Sequence, residues 1–469
     1  MKRSAHIAAV VSAFAITASG LAGCAAPSSP PPTSSETPQP PDPAVELELW
    51  TFKQSHLPGI DAVAAMCFPD NSVTVKAEAI TPDDAFTTKV QAAVQTKDLP
   101  DLLMAHSAGE DWVFAQAGIL ADITDYFNSD LKGRFTEQTL GAMELTQAQI
   151  DGRGDDPATT IGDLTPGNVY SVPLVNGAAN VIVANKTMLA AAGVDTSAPP
   201  ATWEKGVEDM TAVKAADPAN GGLVTGLQIP QVGYFWLYEP MAGAYLGMDA
   251  KFARTGEMQT PAWNSPESLE TLKLWDMLTP VWAPGVFNLG IDQADQAFAQ
   301  GKAAYVMGGT FTVPFLLQQG MDINDLMIFQ APLPGNGKVT NGTMTTNPLV
   351  STGVTTTSEH PDEAKKFLDC LSSEDGAAAF MNESGDLASA KVNLDKVDSD
   401  ALKALAAIFD RPDATPLNPP APFQVEPTNG DTVTIAATLI AKIAAGEATP
   451  QEVADELTKV YQEAWAAEG

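Results

Sequence analysis

Apolar and polar residues alternate strictly over Val45-Glu46-Leu47-Glu48-Leu49-Trp50, a period of two that predicts a β-strand with one buried face. Helical spacing over residues 60–66 and a second alternating run, Val73-Thr74-Val75-Lys76-Ala77-Glu78, follow it. Strand, helix and strand in succession predict an α/β body with parallel pairing. Asp83 and Asp84 open a helix carried by Phe86, Val90 and Val94, and Leu99-Pro100-Asp101-Leu102-Leu103-Met104 reads as a short buried strand. Val169-Tyr170-Ser171-Val172-Pro173-Leu174 and Asn180-Val181-Ile182-Val183-Ala184 read as further strands. Beyond them helical patterns dominate, at 202–215, 236–246, 266–278, 292–300 and 361–371, with two more at the carboxyl end. No short-period repeat of the solenoid kind is present.

The amino terminus follows a different rule. Lys2 and Arg3 precede an apolar stretch over residues 7–18, too short to span a bilayer as a permanent helix and shaped as an export signal. Leu21-Ala22-Gly23-Cys24 resembles the lipobox of bacterial lipoproteins. That resemblance implies cleavage before Cys24 and diacylation of its thiol, each buried methylene contributing about 0.8 kcal/mol of membrane affinity. Proline, serine and threonine then dominate up to Pro43, a composition that buries no apolar surface and stays extended. Residues 1–23 are thus expected to be a signal and 24–44 a tether.

Charge and cysteine count narrow the function classes. The chain carries 25 basic and 58 acidic residues. Loss of Lys2 and Arg3 with the signal leaves 23 − 58, or −35, which argues against a nucleic-acid partner. Cys67 and Cys370 remain after Cys24 is used, and the sequence leaves open a disulfide or two buried thiols. Four histidines in all, with no zinc-type cysteine spacing, argue against a metal site. No cofactor is expected.

The segment "PDLLMAHSAGEDWVFAQAGILADIT" resembles the stretch after the third strand in family 1 extracellular solute-binding proteins, the capture components of ABC sugar importers. "YSVPLVNGAANVIVANKTMLAAAGVDTSAPPATWEKGVEDM", "WNSPESLETLKLWDML", "FAQGKAAYVMGG", "APLPG", "HPDEAKKFLDCLSSEDG" and "IAAGEATPQEVADELTKVYQEA" are similar to later family segments, in the family's order. The resemblance implies an α/β fold of two lobes with a hinge, closing on ligand in the cleft between them. The expected division is 45–160 with 308–390 as the first lobe, and 161–307 with 391–469 as the second. It also implies a monomer held by its lipid at the outer face of a bacterial cell membrane, delivering a small solute, a sugar by preference, to importer membrane subunits.

Ligands of open α/β sheets lie beyond strand ends. Polar and aromatic residues just past the predicted strands are therefore the candidate contacts: Phe52, Gln54, Ser107, Asp111, Trp112, Asn176, Tyr234, Trp236 and Phe311. A sugar offers C–H faces that stack on aromatic rings and a rim of hydroxyls that need fixed partners. Trp112, Trp236 and Phe311 suit the faces; Gln54, Asp111 and Asn176 suit the rim. Trp50, Trp203, Trp263, Trp275 and Trp465 read as packing residues, and His106 as a structural hydrogen-bonder. The chain departs from the family pattern at Gly309-Thr310-Phe311, where a tryptophan is usual, and at Thr345-Thr346-Asn347-Pro348, so ligand identity stays open. A glycoside-active enzyme is the rival class, since paired carboxylates abound. However, no nucleophile elbow, zinc helix or phosphate loop is present.

Overall fold

The computed structural model describes residues 45–152, 160–409, 411, 413–418, 426–427 and 431–468. The expected signal, tether and acylated Cys24 lie outside the described residues. Twelve strands are found among those that are described: β1 (Val45–Thr51), β2 (Val73–Ala79), β3 (Leu102–His106), β4 (Val172–Gly177), β5 (Ala179–Asn185), β6 (Leu223–Val224), β7 (Tyr305–Gly309), β8 (Leu326–Gln330), β9 (Gly342–Thr343), β10 (Asn347–Val354), β11 (Leu387–Ala388) and β12 (Thr415–Pro416).

The alternation that opens the body is realised directly. Leu47 and Leu49 are wholly buried while Glu46 and Glu48 face outward. β1 pairs in parallel with β2, Val45 opposite Val73, and with β3, Leu49 opposite Leu102. The first sheet runs β11-β4-β10-β3-β1-β2, with β10 antiparallel to both β3 and β4. Helices His56–Cys67, Asp83–Thr96, Pro361–Leu371 and Glu374–Ser384 contribute Ile60, Val63, Phe86, Val90, Phe367 and Phe380 to its core. A second sheet, β6-β7-β5-β8, has a core of its own, filled from helices Trp203–Ala216, Pro266–Asp276, Thr432–Ala444 and Pro450–Ala466. Two α/β lobes result.

The lobes divide elsewhere than the sequence suggested. Residues 161–177 belong with the first lobe: Ile161, Tyr170, Val172 and Leu174 sit in its core, and β4 pairs with β10. β8 pairs with β5 in the second sheet, although 308–390 was expected in the first lobe. Alternation along a strand reports which face is buried, not which neighbour it finds. The chain passes between lobes at Ala178, between β8 and β10, and between β11 and Val397.

One expected helix, 236–246, begins as a π-helical turn for a local reason. Pro240 has no N–H to return to the carbonyl four residues back. That carbonyl belongs to Trp236 and accepts instead from Asn180 Nδ2 at 2.8 Å. Tyr234–Tyr238 forms a π-helical turn closed by Glu239 N–H on Tyr234 O, and a regular helix then runs Glu239–Leu246.

Cys67 and Cys370 are disulfide-bonded with Cα atoms 6.0 Å apart, joining the ends of helices His56–Cys67 and Pro361–Leu371 across a sequence separation of 303. Closing so long a loop restricts the unfolded chain. The paired Cys67→Ser, Cys370→Ser variant is expected to lose about 2–5 kcal/mol of stability, read by urea denaturation of the oxidised protein against the variant; superimposable curves would show the bond to be dispensable. At the first passage, a Cβ added to Gly177 would overlap Thr310 Oγ1 and lie 2.6 Å from Leu349 Cδ1. Gly177→Ala should therefore cost about 1–3 kcal/mol, which the same denaturation measures.

Candidate functional site

Between the lobes lies a cleft of about 680 Å³, within the usual range for small-molecule sites. The first-lobe wall grows from the end of β1. Thr51 Oγ1 sits 2.9 Å from His56 Nδ1 and accepts the Lys53 N–H at 3.2 Å, so the short loop between strand and helix is held in one shape. That shape directs Phe52, 2 % exposed, under the cleft floor. Phe52 meets Phe86 edge-on at 5.6 Å and stacks on His106 at 4.2 Å. His106 ends β3; its ring Nδ1 and backbone N–H both lie 3.0 Å from Glu110 Oε2. Glu110 thereby fixes the imidazole as a flat platform over Phe52.

The second-lobe wall is aromatic. The π-helical turn presents Trp236, and the loop after β7 presents Phe311; the two rings meet edge-on with centroids 5.4 Å apart. Gly309 makes the Phe311 position accessible, because a Cβ there would fall 2.7 Å from the ring's Cζ. Gln228 and Ile229, which follow β6, and Gly290 to Gln293 at the start of helix Ile291–Ala299 complete that wall. A side chamber of about 260 Å³, which shares Phe52, Lys53 and Phe311 with the cleft, is lined by Gln54, Asp295, Phe315 and Gln318.

The cleft is acidic at its rim and carries buried acids deeper in. Asp83, Asp84 and Asp292 are exposed lining residues. Burial pushes Asp295 up to about 7, partly offset by its Thr312 hydrogen bonds and by Lys53. Asp386 is likewise pushed up to about 7 by burial, with Lys53 opposing. His56 is driven down to about 3 by burial and then by Lys53. His56 Nε2 lies 3.6 Å from Asp386 Oδ2, close enough to suggest an ion pair, yet both shifts run against one. Desolvation outweighs an attraction at that distance, and we read the imidazole as neutral.

Of the sequence-derived candidates, Phe52, Trp236 and Phe311 line the cleft together, and Gln54 lines its side chamber. The other five do not. Asp111 is 3 % exposed, and its carboxylate is occupied by the N–H groups of Gly109 and Trp112, each at 2.9 Å, and by Ser171 Oγ at 2.7 Å. It ties a helix start to β4 rather than serving a ligand. Trp112, 4 % exposed, belongs to the first core. Tyr234, 3 % exposed, stacks on Tyr238 in the second core. Asn176 donates to Thr346 Oγ1 at 3.0 Å and lines a separate cavity of about 290 Å³. Ser107 is half-buried, and its N–H is used by Leu349 O. An aromatic or acidic residue that begins a helix after a strand can cap or cover the core as readily as face outward.

His56, Asp386, Lys53, Gln228 and His106 are among the lining residues that sequence reasoning missed or set aside. The strand-end rule that selected Phe52 and Gln54 reaches Lys53 by one step. Gln228 follows a strand of two residues and Asp386 precedes one, too short to leave a period in the sequence. Among the described residues no group of three histidine, cysteine, aspartate or glutamate side chains is placed to hold a metal ion. No described helix is long and apolar enough to cross a membrane.

The fold is shared with solved structures. Maltose-bound MalE3 of T. maritima superposes with a TM-score of 0.61 at 17% identity, covering 90% of this chain and 100% of its own. The GacH receptor of Streptomyces glaucescens, solved unliganded and with acarbose, gives 0.60 at 17% identity, covering 91% and 99%. A solute-binding protein of Thermotoga lettingae bound to α-D-tagatose gives 0.60 at 18%, covering 90% and 100%. In sequence, binding proteins of Brucella abortus and Brucella suis are 26% identical over 313 residues, 65% of this chain. The match spans 66% of the length of those relatives, just under two thirds. The sequence profile of the bacterial extracellular solute-binding proteins matches residues 60–378, more than half of the chain, and the chain belongs to that family.

Proposed function

We propose that the protein captures a carbohydrate in the interlobe cleft and delivers it to the membrane subunits of an ABC importer. The observation that carries this reading is the Trp236–Phe311 pair facing the Phe52–His106 stack across about 680 Å³ of space rimmed by polar side chains. Aromatic faces suit the C–H surfaces of a sugar ring, and the Gln228, Gln293 and aspartate side chains suit its hydroxyls. Maltose, acarbose and tagatose in the structural neighbours support the same class. The capture step is closure of the two lobes on the solute by population shift. The family and these neighbours are binding proteins, which supports a role without catalysis.

The membrane half of the proposal rests on the amino terminus. Acylated Cys24 holds the protein at the outer face of the cytoplasmic membrane, and residues 24–44 let a monomeric body reach its partner. Tethering raises the local concentration of loaded protein at the importer.

Calorimetric titration of the soluble body with mono- and oligosaccharides tests the binding. Trp236→Ala and Phe311→Ala should each weaken carbohydrate affinity about 10- to 100-fold, the loss of one well-packed aromatic contact. Unchanged affinity in both would remove the aromatic wall from the site. Trp112→Ala should instead cost about 3–5 kcal/mol of stability, while carbohydrate affinity of the folded protein is retained. Denaturation and titration of the same sample separate the two outcomes.

A further inference from the structure

Asp386 is anomalous among the buried carboxylates. Asp111 is fully hydrogen-bonded, and Asp295 receives Thr312 Oγ1 at 3.2 Å. Asp386, 3 % exposed, receives no hydrogen bond from any described residue; its contact is His56 Nε2, 3.6 Å away and beyond hydrogen-bonding range. A carboxylate without protein donors is costly unless solvent or a ligand supplies them. Asp386 lines the cleft. Its position is fixed from behind: Gly385 ends helix Glu374–Ser384 in the left-handed region at φ 78°, and Ser384 Oγ accepts the Asp386 N–H at 3.1 Å. The backbone is thus set while the carboxylate is left open.

We propose that Asp386 is the acceptor for a pair of ligand hydroxyls and that carbohydrate capture releases its proton to solvent. This rests on the carbohydrate reading of the cleft. The chemistry balances simply: the carboxyl O–H gives its proton to water, and the two carboxylate oxygens then accept from vicinal hydroxyls without any covalent bond forming. A neutral His56 beside the group supplies no counter-charge. Lys53 is the cation that favours the ionised form.

The sign of the pH dependence follows. Burial holds Asp386 up to about 7 in the free protein, and hydroxyl donors in the complex favour the charged form. Affinity therefore rises as pH increases through that value and levels off above it. Other charged or titratable groups near this wall are His56, Lys53, His106, Asp83 and Asp84 from the first lobe and Asp292 from the second, with Asp295 in the side chamber. Asp295 also titrates near 7, so it is the necessary control.

Titration calorimetry of the whole soluble body with a carbohydrate that it binds, at pH 6 and pH 8 and in two buffers of different ionisation enthalpy, reads both quantities. Wild-type affinity should be about tenfold weaker at pH 6 than at pH 8, with nearly one proton released at pH 6. Asp386→Asn should bind more weakly at pH 8 and lose both the slope and the proton, whereas Asp295→Asn keeps them. A ligand-free reading comes from melting temperature. The raised folded-state value makes Asp386 a liability as pH climbs from about 4 to 7, so Asp386→Asn should melt above wild type at pH 8 and level with it near pH 4. A slope that survives Asp386→Asn, or a wild-type affinity equal at both pH values, overturns this inference and leaves the carbohydrate reading standing. No carbohydrate binding at either pH overturns both.

Discussion

A single residue separates the two sheets where the chain first crosses between them. β4 ends at Gly177 in one lobe and β5 begins at Ala179 in the other, so Ala178 carries the change of sheet. Its carbonyl accepts the Thr310 N–H at 3.0 Å, and its side chain packs with Ala244, Met344 and Leu417 in a small core of its own. Gly177 leaves no room for a side chain between Thr310 and Leu349. Residues of both cleft walls adjoin this junction. Phe311 follows Thr310 directly, and Leu349 lines the opposite wall. Small residues at a crossing allow close backbone approach, and here they couple the geometry of the passage to the positions of residues on both walls.

Each wall is then placed by a local device. In the second lobe Pro240 withholds an N–H, the carbonyl of Trp236 turns to Asn180, and a π-helical turn results. Asn180 holds a positive φ of 69° at the start of β5, so the residue that bends the chain out of the crossing also anchors the turn bearing the indole. Such turns often mark functional positions. In the first lobe Thr51 fixes the His56 ring and Glu110 fixes the His106 ring. These contacts fix the orientations of the rings that line the cleft.

The cleft also carries buried acids and an imidazole that desolvation disfavours in their charged forms. Asp386, Asp295 and His56 are buried with protonation equilibria displaced in the direction that opposes charge. Two buried charged groups of the lobe interiors are paired instead. Asp111 is hydrogen-bonded on both oxygens, and buried Arg254 lies 3.7 Å over the Trp263 ring with Glu239 as its counter-ion at 3.1 Å. A binding surface must keep unsatisfied groups available for its ligand, and those groups are a cost until the ligand arrives.

Local periodicity was legible in the sequence wherever an element was long. β1, β2 and the helices Asp83–Thr96 and Pro361–Leu371 follow from spacing alone, because a period of two or 3.6 needs no knowledge of the partner. Motif order gave the two-lobed fold. Pairing was legible only for β1 with β2: β4 and β8 went to lobes other than those expected, since strands buried on both faces look alike whichever neighbour they find. The site divided on the same line. Phe52, Trp236 and Phe311 follow strand ends or open helices and face the cleft. Asp111, Trp112 and Tyr234 satisfy the same rule and are buried, because one turn of helix decides between core and cleft. Asp386 had no sequence signal at all; only the approach of chain segments more than three hundred residues apart puts its carboxylate beside His56 on the cleft wall.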